Sequence, residues 1–194
     1  MAIAMIMAGL YVAATNAFKL FQGRALSVEQ PSEKKHSEKP SVQTGKKQKA
    51  EIVQTFETGE KIGDLVIPKI KARLPIYHGT DEDELQKGVG HFAGSVLPGE
   101  DDNSVLSGHR DTIFRRLGEV GKGDRLIVEA EYGTFTYKVK KVRIVDADDR
   151  TVIVPKPRAT LTVSTCYPFD FIGSAPERYV LVAELIKTQK KRNL

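Results

Sequence analysis

One cysteine stands among 194 residues: Cys166, at the end of "ATLTVSTC" (159–166). A lone thiol cannot close an internal disulfide, so it is a filler, an intermolecular link or a reagent. At an ordinary thiol pKa near 8.5, only about 3% is thiolate at neutral pH, so a reagent needs a base or a cation beside it. Histidines stand at 36, 78, 91 and 109. His36 lies in a polar run, His78 in the turn-like "LPIYHGT", and His91 in the glycine-rich "GVGHFAGS", where packing is the default role. His109 closes "NSVLSGH", a short apolar strand, which puts its imidazole at a strand end beside a loop, where sites form. Arg178 opens the apolar run "RYVLVAEL" (178–185), 12 residues after Cys166. Its guanidinium is a permanent cation, suited to a thiolate or to the oxyanion made when sulfur attacks a carbonyl. Each residue alone also has a plain reading: a half-buried cysteine, a packed histidine, a solvated end charge.

These side chains need a frame, and the chain from residue 60 onward reads as β. "DLVIPKI" (64–70), "NSVLSG" (103–108), "DRLIVEAEYG" (124–133), "TFTYKVKKVRIV" (134–145), "ATLTVSTC" (159–166) and "RYVLVAEL" (178–185) favour alternating β-branched and aromatic residues. Tyr132-Gly133 predicts a hairpin, and the strand spacing predicts a closed barrel or sandwich. Along 159–166, Leu161, Val163 and Thr165 face one way, and Thr162, Ser164 and Cys166 the other, so the thiol sits on the more polar face. A filler cysteine would suit the apolar face better. If the cysteine strand and the one opened by Arg178 form a hairpin across 167–177, the thiol and the guanidinium meet at its open end. Short helical patches are predicted around 81–87, with Thr80 as N-cap and Gly88 as the stop, and around 112–117. Pro155 and Pro157 mark a loop before the cysteine strand.

The net charge of +5 is unevenly placed. Residues 19–50 hold eight Lys/Arg against three Asp/Glu, and 187–194 hold four against none, leaving −4 for residues 51–186. A nucleic-acid-binding fold would carry its basic patch within the domain, so no nucleic-acid partner is expected. The first 18 residues, "MAIAMIMAGLYVAATNAF", are uncharged. They are marginal for a bilayer-spanning helix and read as an uncleaved N-terminal membrane anchor. Lys19 and Arg24 follow this segment rather than precede it, which opposes the positive-inside rule for an exported domain; a basic leader upstream of Met1 would restore the usual order. Residues 19–55 are rich in Lys, Ser, Gln, Glu and Pro and read as a disordered basic linker. The expected organisation is therefore an anchor at 1–18, a linker at 19–55, a catalytic barrel at 56–187 and a basic tail at 188–194.

Taken together, these segments resemble the sortases, cysteine transpeptidases of the Gram-positive cell surface. Their Thr-Leu-x-Thr-Cys strand is matched by "TVSTC" (162–166), with Val163 in place of leucine. "SGHRDTIFRRLGEVGKGDRLIV" (107–128) is similar to the family's histidine segment, and "LPIYHGTDEDELQKGVGHFAGSVLPG" (74–99) to its early strand and loop. The resemblance covers about residues 60–186. It implies an all-β, closed eight-stranded barrel with a few short helices, in which His109, Cys166 and Arg178 meet at one groove. Cys166 would attack the Thr-Gly or Thr-Ala bond of an LPxT-type sorting signal to form a thioester. His109 would act as general acid and base, Arg178 would hold substrate or oxyanion, and Thr165 and Ser164 would line the substrate side. The implied partners are sorting-signal peptides of surface proteins and an amine of peptidoglycan or its lipid-linked precursor, met by a single-pass membrane protein on the extracellular face. No cofactor and no metal are expected. Asp81 to Glu84 and Glu100 to Asp102 resemble the acidic loops with which some relatives bind calcium, but Asp81, Glu82, Asp83 and Glu84 equally suit a helix start. With "KTQKKRNL" at the end and no lid segment, the resemblance is greatest to class D, ahead of classes E and A. The rival readings are a hydrolytic cysteine protease and a non-catalytic extracellular wall-binding barrel.

Overall fold

The structure, a computed structural model, describes residues 54–170, 173 and 175–191. Eight strands occur among them: β1 (Lys61–Ile67), β2 (Ala72–His78), β3 (Val89–His91), β4 (Asn103–Ser107), β5 (Arg125–Ala130), β6 (Gly133–Asp146), β7 (Thr160–Tyr167) and β8 (Glu177–Lys190). They close in the order β1-β2-β3-β4-β7-β8-β6-β5, so the expected eight-stranded barrel is the fold. Closure leaves no unpaired sheet edge. The anchor and residues 19–53 of the linker lie outside the described residues. Among the described residues, no helix is long and apolar enough to cross a membrane.

The alternation read from sequence builds the core. Leu65 and Ile67 of β1, Leu126 and Val128 of β5, Phe135 and Tyr137 of β6, Leu161 and Val163 of β7, and Leu181 and Ala183 of β8 all turn inward and are buried. Burying one large side chain of this kind contributes roughly 1.5–3 kcal/mol. The β5–β6 hairpin turns on Glu131 and Tyr132, with Ala130 opposite Gly133, so Gly133 opens β6. β8 runs five residues past the apolar alternation and pairs along its full length with β6.

Two strands escaped the sequence reading. β2 contains Pro75 and lacks clean alternation, and β3 has three residues, all buried. His78 therefore ends β2 and His91 ends β3, where a turn and a loop were expected. β1 begins earlier than read, and Pro68–Ile70 forms a 3-10 turn rather than strand. One α-helix, α1 (Glu82–Lys87), occupies the acidic patch. Its N-cap is Asp81, not Thr80: the Asp81 side chain accepts from the backbone of Glu84, while the Glu84 carboxylate accepts from the backbone N–H of Asp81. The reciprocal pair satisfies two orphan donors that a lone threonine could not. Residues 110–116 form turns, and a 3-10 helix follows at Leu117–Glu119 in place of the helix expected at 112–117.

β4 lies parallel to β7, with Ser107 opposite Ser164, and β7 lies antiparallel to β8. This triplet carries the chemistry-bearing residues. A long loop between β6 and β7 packs on its outer side. Asn103 donates to the carbonyls of Val152 and Val154, and accepts the buried Thr162 hydroxyl at 2.7 Å. Thr160 and Thr162 are consequently as buried as their apolar neighbours, and the polar face of β7 opens only at Ser164 and Cys166.

Candidate active site

Cys166 lies at the C-terminal end of β7, half-buried, and is the only free cysteine among the described residues. Its partner in the β7–β8 ladder is Arg178. Directly opposed residues on antiparallel strands project to the same face with Cβ atoms about 4.5–5.5 Å apart. The sulfur and the Arg178 side chain therefore leave the sheet side by side. In this structure the Arg178 Nη1 donates to the carbonyls of Ala175 (3.1 Å) and Glu177 (2.9 Å).

His109 arrives by the parallel ladder. The Gly108 N–H donates to the Ser164 carbonyl at 3.3 Å, and the Thr165 hydroxyl donates to the Gly108 carbonyl at 2.7 Å. These bonds bring the residue after Gly108 level with the residue after Thr165, that is, His109 with Cys166. Thr165 is 3% exposed, so its hydroxyl steers the histidine segment and does not open onto the surface. Ser164 is half-buried on the thiol's side of the strand. The Phe114 N–H donates to the His109 carbonyl at 2.9 Å, and the buried Phe114 ring packs beneath Gly108, where any Cβ would stand 2.7 Å from it. The imidazole is 40% exposed, and its Nε2 stands 3.4 Å from Glu82 of α1.

The other histidines stand apart. His36 lies outside the described residues. His91 is fully buried; its Nε2 donates to the Val96 carbonyl (3.0 Å), so its Nδ1 accepts from the Nδ1–H of His78 at 3.1 Å. Burial above all pushes His91 down to about 4, with the neighbouring His78 adding to that and the Val96 carbonyl opposing it. It is a neutral structural group. A cavity of about 240 Å³ borders this pair and contains none of Cys166, His109 and Arg178. Four of the acidic residues weighed for calcium have backbone duties: Asp81 and Glu84 cap α1, Glu100 accepts from the Leu97 N–H, and Asp102 from the N–H groups of Asn103 and Lys156.

Arg110 went unread. It is 5% exposed, donates through Nε and Nη2 to both oxygens of Asp111, and through Nη1 to the Pro168 carbonyl at 2.9 Å. In the sequence it stands between His109 and Asp111, where an arginine followed by an acid reads as solvated charge.

A closed barrel whose rim gathers one thiol, one imidazole and a guanidinium from three adjoining strands is the architecture of a cysteine acyl-transfer enzyme. The sortase domain model matches residues 65–186, and the chain belongs to the sortase family, whose members are cysteine transpeptidases. It is 43% identical to Sortase D of Bacillus subtilis over 188 residues, which span 93% of this chain and 95% of that protein. Among solved structures, the catalytic domain of B. anthracis SrtD is 44% identical, with a TM-score of 0.61 over 74% of this chain and 99% of that one. A Clostridium perfringens Sortase D5 transpeptidase is 28% identical, with a TM-score of 0.62 over 69% and 83% of the two chains. The likeness to class D expected from the sequence is borne out.

Proposed function

We propose that this sortase cleaves an LPxT-type sorting signal after the threonine and transfers the released carbonyl to a cell-wall amine. Cys166 attacks the Thr-Gly or Thr-Ala carbonyl carbon, the C–N bond breaks, and a thioester forms. His109 takes the thiol proton and delivers it to the departing amine. It then removes a proton from the incoming amine of peptidoglycan or its lipid-linked precursor, and the thioester gives way to a new amide. Arg178 turns from its local carbonyls to the substrate backbone or the oxyanion, a side-chain rotation at a strand end. Ser164 lines the substrate side, and Thr165 serves by holding Gly108. The observation that carries this reading is the pairing of Cys166 with Arg178 on one face, next to the strand that leads into His109.

The same reading makes residues 1–18 a membrane anchor and 19–55 a linker, with the barrel acting at the outer face of a Gram-positive membrane. The test uses the purified full chain with labelled LPxTG and LPxTA peptides and an excess of amine. The expected result is a peptide thioester on Cys166 by intact mass, an amide product, and loss of both in Cys166→Ala. Turnover by Cys166→Ala would falsify the assignment. Release of product to water alone, in the presence of abundant amine, would identify a hydrolase instead.

A further inference from the structure

We propose that Arg110 is a positioning residue for this transfer: it ties the segment after Cys166 to the segment after His109 and fixes a permanent positive charge beside the sulfur. The proposal rests on the transpeptidase reading for its kinetic arm only. The geometry has two parts. Thr165, one residue before the nucleophile, is bonded to the Gly108 carbonyl, and Pro168, two residues after it, is bonded to Arg110. The turn carrying His109 is thereby clasped to β7 on both sides of Cys166, once by a hydroxyl and once by a guanidinium.

The second part is electrostatic. Arg110 is buried, whereas the Asp111 carboxylate it grips is 71% exposed. Water screens the carboxylate, but little water reaches the guanidinium, so the pair presents its positive end inward. Arg110 is held above the usual arginine range first by the hydrogen bond to Asp111, with burial opposing; the charges of Asp111, Cys166 and Asp170 add to the rise. Arg178 faces backbone carbonyls in the same structure. Arg110 is thus the cation already in place when the thiolate forms, and Arg178 is free to be recruited by substrate. A guanidinium suits this post because its planar fork serves a carboxylate with two nitrogens and a carbonyl with the third.

The test compares wild type, Arg110→Met and Arg110→Lys as full chains, with thermal melts to establish folding. Cys166 is alkylated with iodoacetate and with iodoacetamide at one pH. Both reagents need the thiolate, so their rate ratio cancels its population and reports the local field. Arg110→Met is expected to lower the iodoacetate-to-iodoacetamide ratio about fivefold, as the loss of one nearby unit charge predicts. Arg110→Lys keeps the ratio within about twofold but loses the two-pronged clasp. Its peptide-transfer kcat falls about tenfold or more while KM stays within about twofold, as ångström-scale misplacement predicts. An unchanged ratio in Arg110→Met, or wild-type transfer by Arg110→Lys, overturns the proposal; the lysine variant decides alone where the methionine variant does not fold. If Arg110→Met shows the expected ratio shift relative to wild type while wild type itself transfers no peptide, the transpeptidase reading is refuted and the charge assignment stands.

Discussion

Buried His91, hydrogen-bonded to the half-buried His78, gives the barrel an acid sensitivity that can be worked out. His91 is pushed down to about 4 in the folded protein, against an ordinary value near 6.5 in the unfolded chain. The unfolded state therefore binds a proton that the folded state refuses. The stability tied to neutral His91 is fully present above pH 6.5, declines as the pH falls from there, and is gone by about pH 4. At about 1.36 kcal/mol per pH unit, the whole loss is roughly 3 kcal/mol, of which about 2 kcal/mol is gone by pH 5. With a urea slope of about 1–3 kcal/mol per molar, the unfolding midpoint should fall by on the order of 1 M between pH 7 and pH 5. The control is His91→Gln, whose amide can donate to the Val96 carbonyl but cannot titrate. Its midpoint starts lower and should change far less over the same interval. Both chains are unfolded in urea at pH 7, 6 and 5 and followed by circular dichroism. Equal midpoint shifts in the two proteins would refute the reasoning, because the acid loss would then come from other groups.

Two further substitutions probe how the frame holds the site. Gly99 sits at φ +99°, and a Cβ there would meet the Phe135 ring at 2.1 Å. Gly99→Ala should therefore cost at least about 2 kcal/mol through strain and overpacking combined, read as a lower melting temperature; an unchanged melt would contradict the close approach. Asn103→Ala leaves the buried Thr162 hydroxyl without its acceptor and releases the Val152 and Val154 carbonyls, costing about 1–3 kcal/mol. Limited proteolysis should then cut residues 147–159 faster than in wild type, and equal cutting rates would show that Asn103 does not hold that loop.

Much of the barrel was legible because its inward residues repeat every second position, as in Leu126, Val128 and Ala130 of β5 or Phe135, Tyr137 and Val139 of β6. The repeat fails where other forces decide. β2 carries Pro75, and β3 is too short to show a period; both are held as strands by pairing, β2 with β1 and β3, and β3 with β2 and β4. On β7, both faces are buried from Thr160 to Val163, because Asn103 and the loop before the strand cover the side that alternation assigned to solvent. At the site, Cys166, His109 and Arg178 could be singled out because each stands at a strand end. Arg110 could not: an arginine followed by an aspartate reads as solvated charge, and only the fold carries that guanidinium inside, onto the Pro168 carbonyl. Thr165 was legible as a neighbour of the nucleophile but not as a donor to Gly108, since that bond spans 57 positions.

The place of β8 has a consequence for how the molecule comes into being. Among the described residues it is the last strand in chain order, yet it lies between β6 and β7. During synthesis every other stave exists before it, and β6 and β7 each wait with a bare flank. Because β8 also carries Arg178 opposite Cys166, nascent chains that stall before about residue 178 hold a nucleophile without its opposing guanidinium. Birth order alone thus withholds the complete set of reacting groups until the last strand arrives.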